Sequence, residues 1–124
     1  MINNFLIVVL GGSLGSGLRY ITASHMTRLF PASFPYGTFI VNISGCMLIG
    51  LIYGFSERFD WPSNQFRLFL ATGFCGGYTT FSSFTYENIK LLQSGDYLTF
   101  SLYSLASFAL GLLAGFIGIS LTKL

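Results

Sequence analysis

Charge is what this chain has least of. Six of its 124 residues are basic and four acidic, whereas about a quarter of a soluble domain is charged. With 52% of the residues hydrophobic, that shortage excludes an ordinary water-soluble fold and marks an integral membrane protein. Arg19, Arg28, Arg58, Arg67, Lys90 and Lys123 are too scattered to form the basic patch that nucleic acid requires. Histidine is scarcer still, since His25 alone, near a predicted membrane edge, cannot supply the pair of axial ligands that a haem anchor needs. The apolar spans carry no Asp or Glu at depth. That absence removes acid–base catalysis and the mid-membrane carboxylate of a proton-coupled carrier. The two cysteines, Cys46 and Cys75, fall in apolar stretches without metal or redox spacing and read as small fillers.

A membrane helix takes about 20 apolar residues, so 124 residues hold four and leave no room for a soluble catalytic domain. The expectation is an all-α membrane protein, one transmembrane unit over 1–124, with helices near 3–26, 36–56, 66–92 and 97–122. The opening Met1-Ile-Asn-Asn-Phe-Leu-Ile-Val-Val-Leu has the apolar core of a signal peptide but no basic flank. It is assigned to the first helix. Gly11, Gly12, Gly15 and Gly17 give that helix a small-residue face on which a neighbour can pack closely. No strand precedes the glycines and no acid follows at the distance a dinucleotide fingerprint requires. Arg19, near the end of the span, either snorkels to the interface or faces a wet, anion-attracting vestibule.

A turn over Pro31-Ala-Ser-Phe-Pro-Tyr-Gly37 leads to the second span. There Asn42 either glues helices together or brings amide donors to a passing anion. Asn42-Ile-Ser44 matches a glycosylation pattern, but it lies inside a span and is discarded. The polar segment 56–65, with Trp61 and Pro62, is a surface loop. The third span is uncharged from Leu68 to Tyr86, yet Gly76-Gly77 interrupts it, and a helix broken near those glycines is expected. Backbone freed inside hydrocarbon must be buried in protein or line a cavity, which makes the break a candidate site. Beyond it Phe81 and Phe84, spaced i, i+3, share a face with Thr80 and Thr85 close by, and Glu87 with Lys90 reads as a surface ion pair. After the turn Ser94-Gly95-Asp96, the fourth span places Tyr103 and Ser107 one turn apart, followed by Gly111.

Basic residues are nearly balanced between the two sides that four spans imply. Arg58, Arg67 and Lys123 stand against Arg28 and Lys90, with Arg19 leaning to the latter. The charge bias that orients membrane proteins is almost absent, and a chain of this kind can insert both ways and pair antiparallel with itself. What remains for chemistry is neutral donors, the positive edges of phenyl rings and the carbonyls of a broken helix. The first two suit a small anion and the last a cation.

Three blocks resemble the small bacterial fluoride channels of the Fluc/CrcB family: Gly11-Gly-Ser-Leu-Gly-Ser-Gly-Leu-Arg-Tyr20, Gly37-Thr-Phe-Ile-Val-Asn-Ile-Ser-Gly45 with Gly50, and Gly73-Phe-Cys-Gly-Gly-Tyr-Thr-Thr-Phe-Ser-Ser-Phe84. The resemblance covers essentially the whole chain. It implies a multi-pass protein of the bacterial inner membrane, an antiparallel dual-topology homodimer in the lipid bilayer. Such a dimer has two pores that let fluoride out passively and reject chloride. It further implies that Phe81, Phe84 and Asn42 line the pore, that Tyr103 and Ser107 form a polar track, and that Thr80 and Ser83 adjoin it. The backbone carbonyls of Gly76 and Thr79 would hold a structural sodium ion at the dimer interface, and Arg19 would be vestibular or structural. Gly111 departs from members with another hydroxyl there. The competing readings are a small dual-topology multidrug exporter, which predicts a carboxylate in the first span where none is found, and a non-transporting anchor, which leaves the break unexplained.

Overall fold

The computed structural model describes residues 1–30, 33–60 and 63–124. Pro31 and Ala32 of the expected first turn, and Trp61 and Pro62 of the expected surface loop, lie outside them. The described residues are almost entirely helical and contain no strand. The elements are α1 (Ile2–Leu29), α2 (Tyr36–Phe59), α3 (Asn64–Arg67), a π-helix (Leu68–Cys75), α4 (Gly76–Tyr78), α5 (Phe81–Gln93) and α6 (Tyr97–Leu121). Three of these, α1, α2 and α6, are long and apolar enough to cross a membrane. Among the described residues no segment between α2 and α6 qualifies by itself, because the chain there is divided.

The division lies at Thr79 and Thr80, not at Gly76-Gly77. Thr79 has φ −83° and ψ 158°, Thr80 has φ −148° and ψ 121°, and α4 runs through both glycines before them. β-Branched residues favour extended backbone, and both threonines stabilise the change of direction with their hydroxyls. Thr79 Oγ1 donates to the Cys75 carbonyl at 2.8 Å, and Thr80 Oγ1 accepts from Ser83 N–H at 3.2 Å, capping α5.

The glycines serve a different purpose, which is close approach. A Cβ on Gly15 would strike the Phe74 carbonyl, and one on Gly77 would lie 2.9 Å from the Cα of Gly12. Two helices therefore meet backbone to backbone. Gly11 faces Phe69 and Gly73, Gly15 faces Phe74 and Tyr78, and Arg19 reaches Gly77, so α1 runs parallel to the π-helix and α4. A second seam joins α2 to α6, where Gly50 meets Gly115 and Gly118, and Gly54 meets Thr122. Those two helices are also parallel, and Arg58 ties their far ends by donating to the Thr122 carbonyl. Asn42 against Thr80 and Thr38 against Glu87 set α2 antiparallel to the broken pass.

The interior of one chain is small. Val41 and Tyr103 are fully enclosed, and a cluster of Ile52, Ala71 and Cys75 fills the space between α2 and the π-helix. Large apolar side chains such as Phe5, Leu105, Phe108 and Phe116 face outward, as expected where lipid replaces water as the solvent.

Candidate functional site: the threonine break and its surroundings

An unbroken helix would satisfy each carbonyl around residue 78 from the N–H four residues on. Here those donors are diverted. Thr80 N–H, the ordinary partner of the Gly76 carbonyl, donates to Asn42 Oδ1 at 2.8 Å, and Asn42 Nδ2 returns a bond to the Thr80 carbonyl at 3.0 Å. Ser83 N–H, the ordinary partner of the Thr79 carbonyl, goes to Thr80 Oγ1. The Gly77 carbonyl is met by Arg19 Nε at 3.0 Å. Gly76 and Thr79 thus lose their helical donors, and the Gly77 carbonyl between them is claimed by a side chain. Arg19 is accordingly turned inward onto the break and does not snorkel to the interface.

Two cavities of about 360 Å³ each flank the break. Gly76, Thr79, Asn42 and Phe81 line one of them, together with both cysteines. Arg19, Ser16, Thr38 and Ser83 line the other, and Thr80 borders both. The aromatic face begins directly after the break. The Phe81 and Phe84 ring centroids are 5.8 Å apart, and Phe84 lies 4.9 Å from Tyr103 at an interplanar angle of 56°. Phe81 is 79% exposed in a single chain, whereas Tyr103 is fully buried.

Tyr103 does not stand alone. Its hydroxyl donates to Glu87 Oε1 at 2.8 Å, and Thr38 Oγ1 donates to Glu87 Oε2 at 2.8 Å, so one carboxylate joins α2, α5 and α6. This corrects one expectation. Glu87 is half-buried among hydroxyl donors and is not half of a surface pair with Lys90, whose ammonium instead sits 5.7 Å from the Tyr86 ring centroid. The physical reason is that two short, charge-assisted hydrogen bonds replace much of the water Glu87 leaves behind. A signal was available in the spacing: Glu87 follows Phe84 by three residues, and Thr38 precedes Asn42 by four, so each shares a helix face with a residue already singled out.

Ser107 Oγ is buried and has no hydrogen-bond partner among the described residues. A buried hydroxyl without a partner costs about 1–3 kcal/mol, and this one sits one turn beyond Tyr103 on α6. The structure thus gathers Asn42, Thr80, Phe81, Gly76 and Thr79 around one cavity, Arg19 and Ser83 on the opposite side of the break, and Tyr103 with Phe84 at the Glu87 end. Ser107 lies farther along α6.

Comparison with known proteins supplies the remaining finding. A family model described as "CrcB-like protein, Camphor Resistance (CrcB)" matches residues 6–119. The fluoride-specific ion channel FluC of Flavobacterium psychrophilum is 48% identical over 116 residues, 94% of each chain. That of Azobacteroides pseudotrichonymphae is 40% identical over 123 residues, 99% of this chain and 98% of its own. The FluC of Gloeothece citriformis is 48% identical over 118 residues, 95% of each.

Proposed function

The chain belongs to the CrcB family, and from that premise we propose that it is a fluoride-selective channel that lets fluoride leave the cell passively and so lowers its cytoplasmic concentration. It is a membrane transport protein, not an enzyme. The observation that carries the reading at the level of chemistry is the unpartnered Ser107 hydroxyl. A buried donor with no protein acceptor suits a small, strongly accepting anion that must leave its water shell. Asn42 offers a second amide N–H beyond the one given to Thr80, and the rings of Phe81 and Phe84 offer positive edges. Neutral groups of this kind replace hydration without holding the ion so tightly that it cannot leave. In this reading Thr80 and Ser83 adjoin the path, Tyr103 and Ser107 continue it along α6, and Arg19 raises the local anion concentration electrostatically.

Four passes, with the broken third counted as one, give a multi-pass protein of the bacterial inner membrane. Two copies pair antiparallel, supported by the balanced basic residues and by the open side of the cavity at Phe81. A structural sodium ion fits the same side. The donors that helical geometry would give Gly76 and Thr79 are directed to Asn42 and Thr80 Oγ1 instead, and hard monovalent cations are held by carbonyl oxygens. Gly76 and Thr79 of each subunit would hold the ion, which supplies fixed positive charge between the two copies.

Ion efflux from liposomes containing the purified protein, with fluoride and chloride compared at equal gradients, tests the function. Fluoride is expected to leave and chloride to stay. Equal leakage of both, or of neither, would overturn the assignment.

A further inference from the structure

The carbonyls freed where α4 gives way to α5 are not treated alike. Those of Gly76 and Thr79 lose their helical donors to Asn42 and to Thr80 Oγ1, and both residues line one cavity. The carbonyl between them, Gly77 O, accepts from Arg19 Nε at 3.0 Å, and Arg19 lines the cavity on the other side of the break. We infer that Arg19 is a positioning residue for the cation site: by holding Gly77 O toward its own side, it leaves the carbonyls of Gly76 and Thr79 to the cation and fixes the backbone that carries them. This rests on the sodium reading above.

The geometry favours arginine specifically. The guanidinium is a rigid planar fork whose Nε–H direction is set by the side chain, and its bond to a carbonyl is charge-assisted. Lysine would bring the same charge without that direction. The base of the side chain is also fixed. Gly15, one turn earlier, touches the Phe74 carbonyl and approaches Tyr78 N, so α1 cannot slide along α4 to re-aim its arginine. A third carbonyl turned into the site would raise the number of oxygens offered to the ion, and discrimination between cations of different size depends on ligand number and site rigidity.

The test is a titration of the full-length dimer in lipid nanodiscs with sodium chloride, replaced by potassium chloride at constant ionic strength and read as thermal protection of the dimer. Arg19→Lys keeps the charge and loses the directed Nε–H; Arg19→Gln keeps an N–H donor and loses the charge. For the wild type, sodium is expected to protect where potassium does not. For Arg19→Lys the half-protecting sodium concentration is expected to rise about tenfold, the loss of roughly one hydrogen bond, and the preference over potassium to narrow. Arg19→Gln is expected to shift in the same direction. A sodium titration that is unchanged in both variants overturns the proposal and leaves the cation reading standing. Failure of both variants to assemble at saturating sodium also overturns it, since a positioning residue shifts the titration without abolishing the fold. A wild type indifferent to sodium removes the cation reading itself, and the proposal with it.

Discussion

Replacing Asn42 with alanine separates two roles that its position allows. The carboxamide exchanges two hydrogen bonds with the backbone of Thr80, 2.8 Å into Oδ1 and 3.0 Å out of Nδ2, at the point where the chain leaves one helix and enters the next. Alanine removes both. Thr80 N–H then has no partner in a half-buried, lipid-shielded position, a loss of about 1–3 kcal/mol, and the second bond adds about 0.5–1.5 kcal/mol. The expected local destabilisation is about 1.5–4.5 kcal/mol. At 1.4 kcal/mol per factor of ten, that is roughly 10- to 1,600-fold in the opening equilibrium of the break. Amide hydrogen exchange at Thr80 reads this directly, because exchange from a local opening reports its free energy. Acceleration in that range, with slower fluoride efflux, is expected. If exchange at Thr80 stayed at the wild-type rate while efflux was lost, Asn42 would act on the ion alone, and the argument that it holds the break would be wrong.

Three further outcomes follow from the packing. Gly77→Ala forces a methyl group against Gly12 Cα at 2.9 Å and is expected to destabilise by about 2 kcal/mol or more through overpacking; Gly17→Ala, which meets open space, should leave the melting temperature unchanged or raised. Tyr103→Phe and Thr38→Val each take one charge-assisted donor from Glu87 and should each lower stability by about 1.5–3 kcal/mol. The double variant should lose more than their sum in thermal unfolding, because the last donor leaves a half-buried carboxylate unpaired. Phe81→Ile should slow fluoride efflux by removing a positive ring edge, and unchanged efflux would mean that the ring only packs.

Much of the fold could be read from apolar runs and small residues, since both report directly on lipid exposure and close approach. Gly11 and Gly15 signal the first of the two seams in the sequence itself. The break is foreseeable in kind and in its neighbourhood, though it falls at Thr79 and Thr80, just beyond the glycines. Glycine is the usual suspect for leaving a helix, whereas Gly77 is needed for contact with Gly12 and the turn falls to two threonines whose hydroxyls cap it. Glu87 was misjudged for a related reason. Its nearest sequence partner, Lys90, is visible in the spacing, while its actual donors come from α2 and α6, 49 and 16 residues away. Side-chain bonds across such distances leave no periodic trace. Nor does the isolation of Ser107, which becomes evident only when every neighbouring acceptor is seen to be elsewhere.

The divided third pass also bears on how the protein is made. Its two halves, eight π-helical and three α-helical residues before the threonines and 13 after them, are each about 15–20 Å long at helical rise, too short to cross the hydrocarbon core of roughly 30 Å. In the four-pass reading proposed above, the inserting machinery would meet the uncharged run Leu68 to Tyr86 as one segment, and an isolated segment in lipid keeps its backbone bonded within itself. The extended threonines become tolerable only when Asn42 arrives on α2 and Arg19 on α1 to take over the displaced N–H and carbonyl. In that reading the kink is a product of helix assembly, and a nascent chain truncated before Leu68 would carry both partners, Arg19 and Asn42, without the segment they bend.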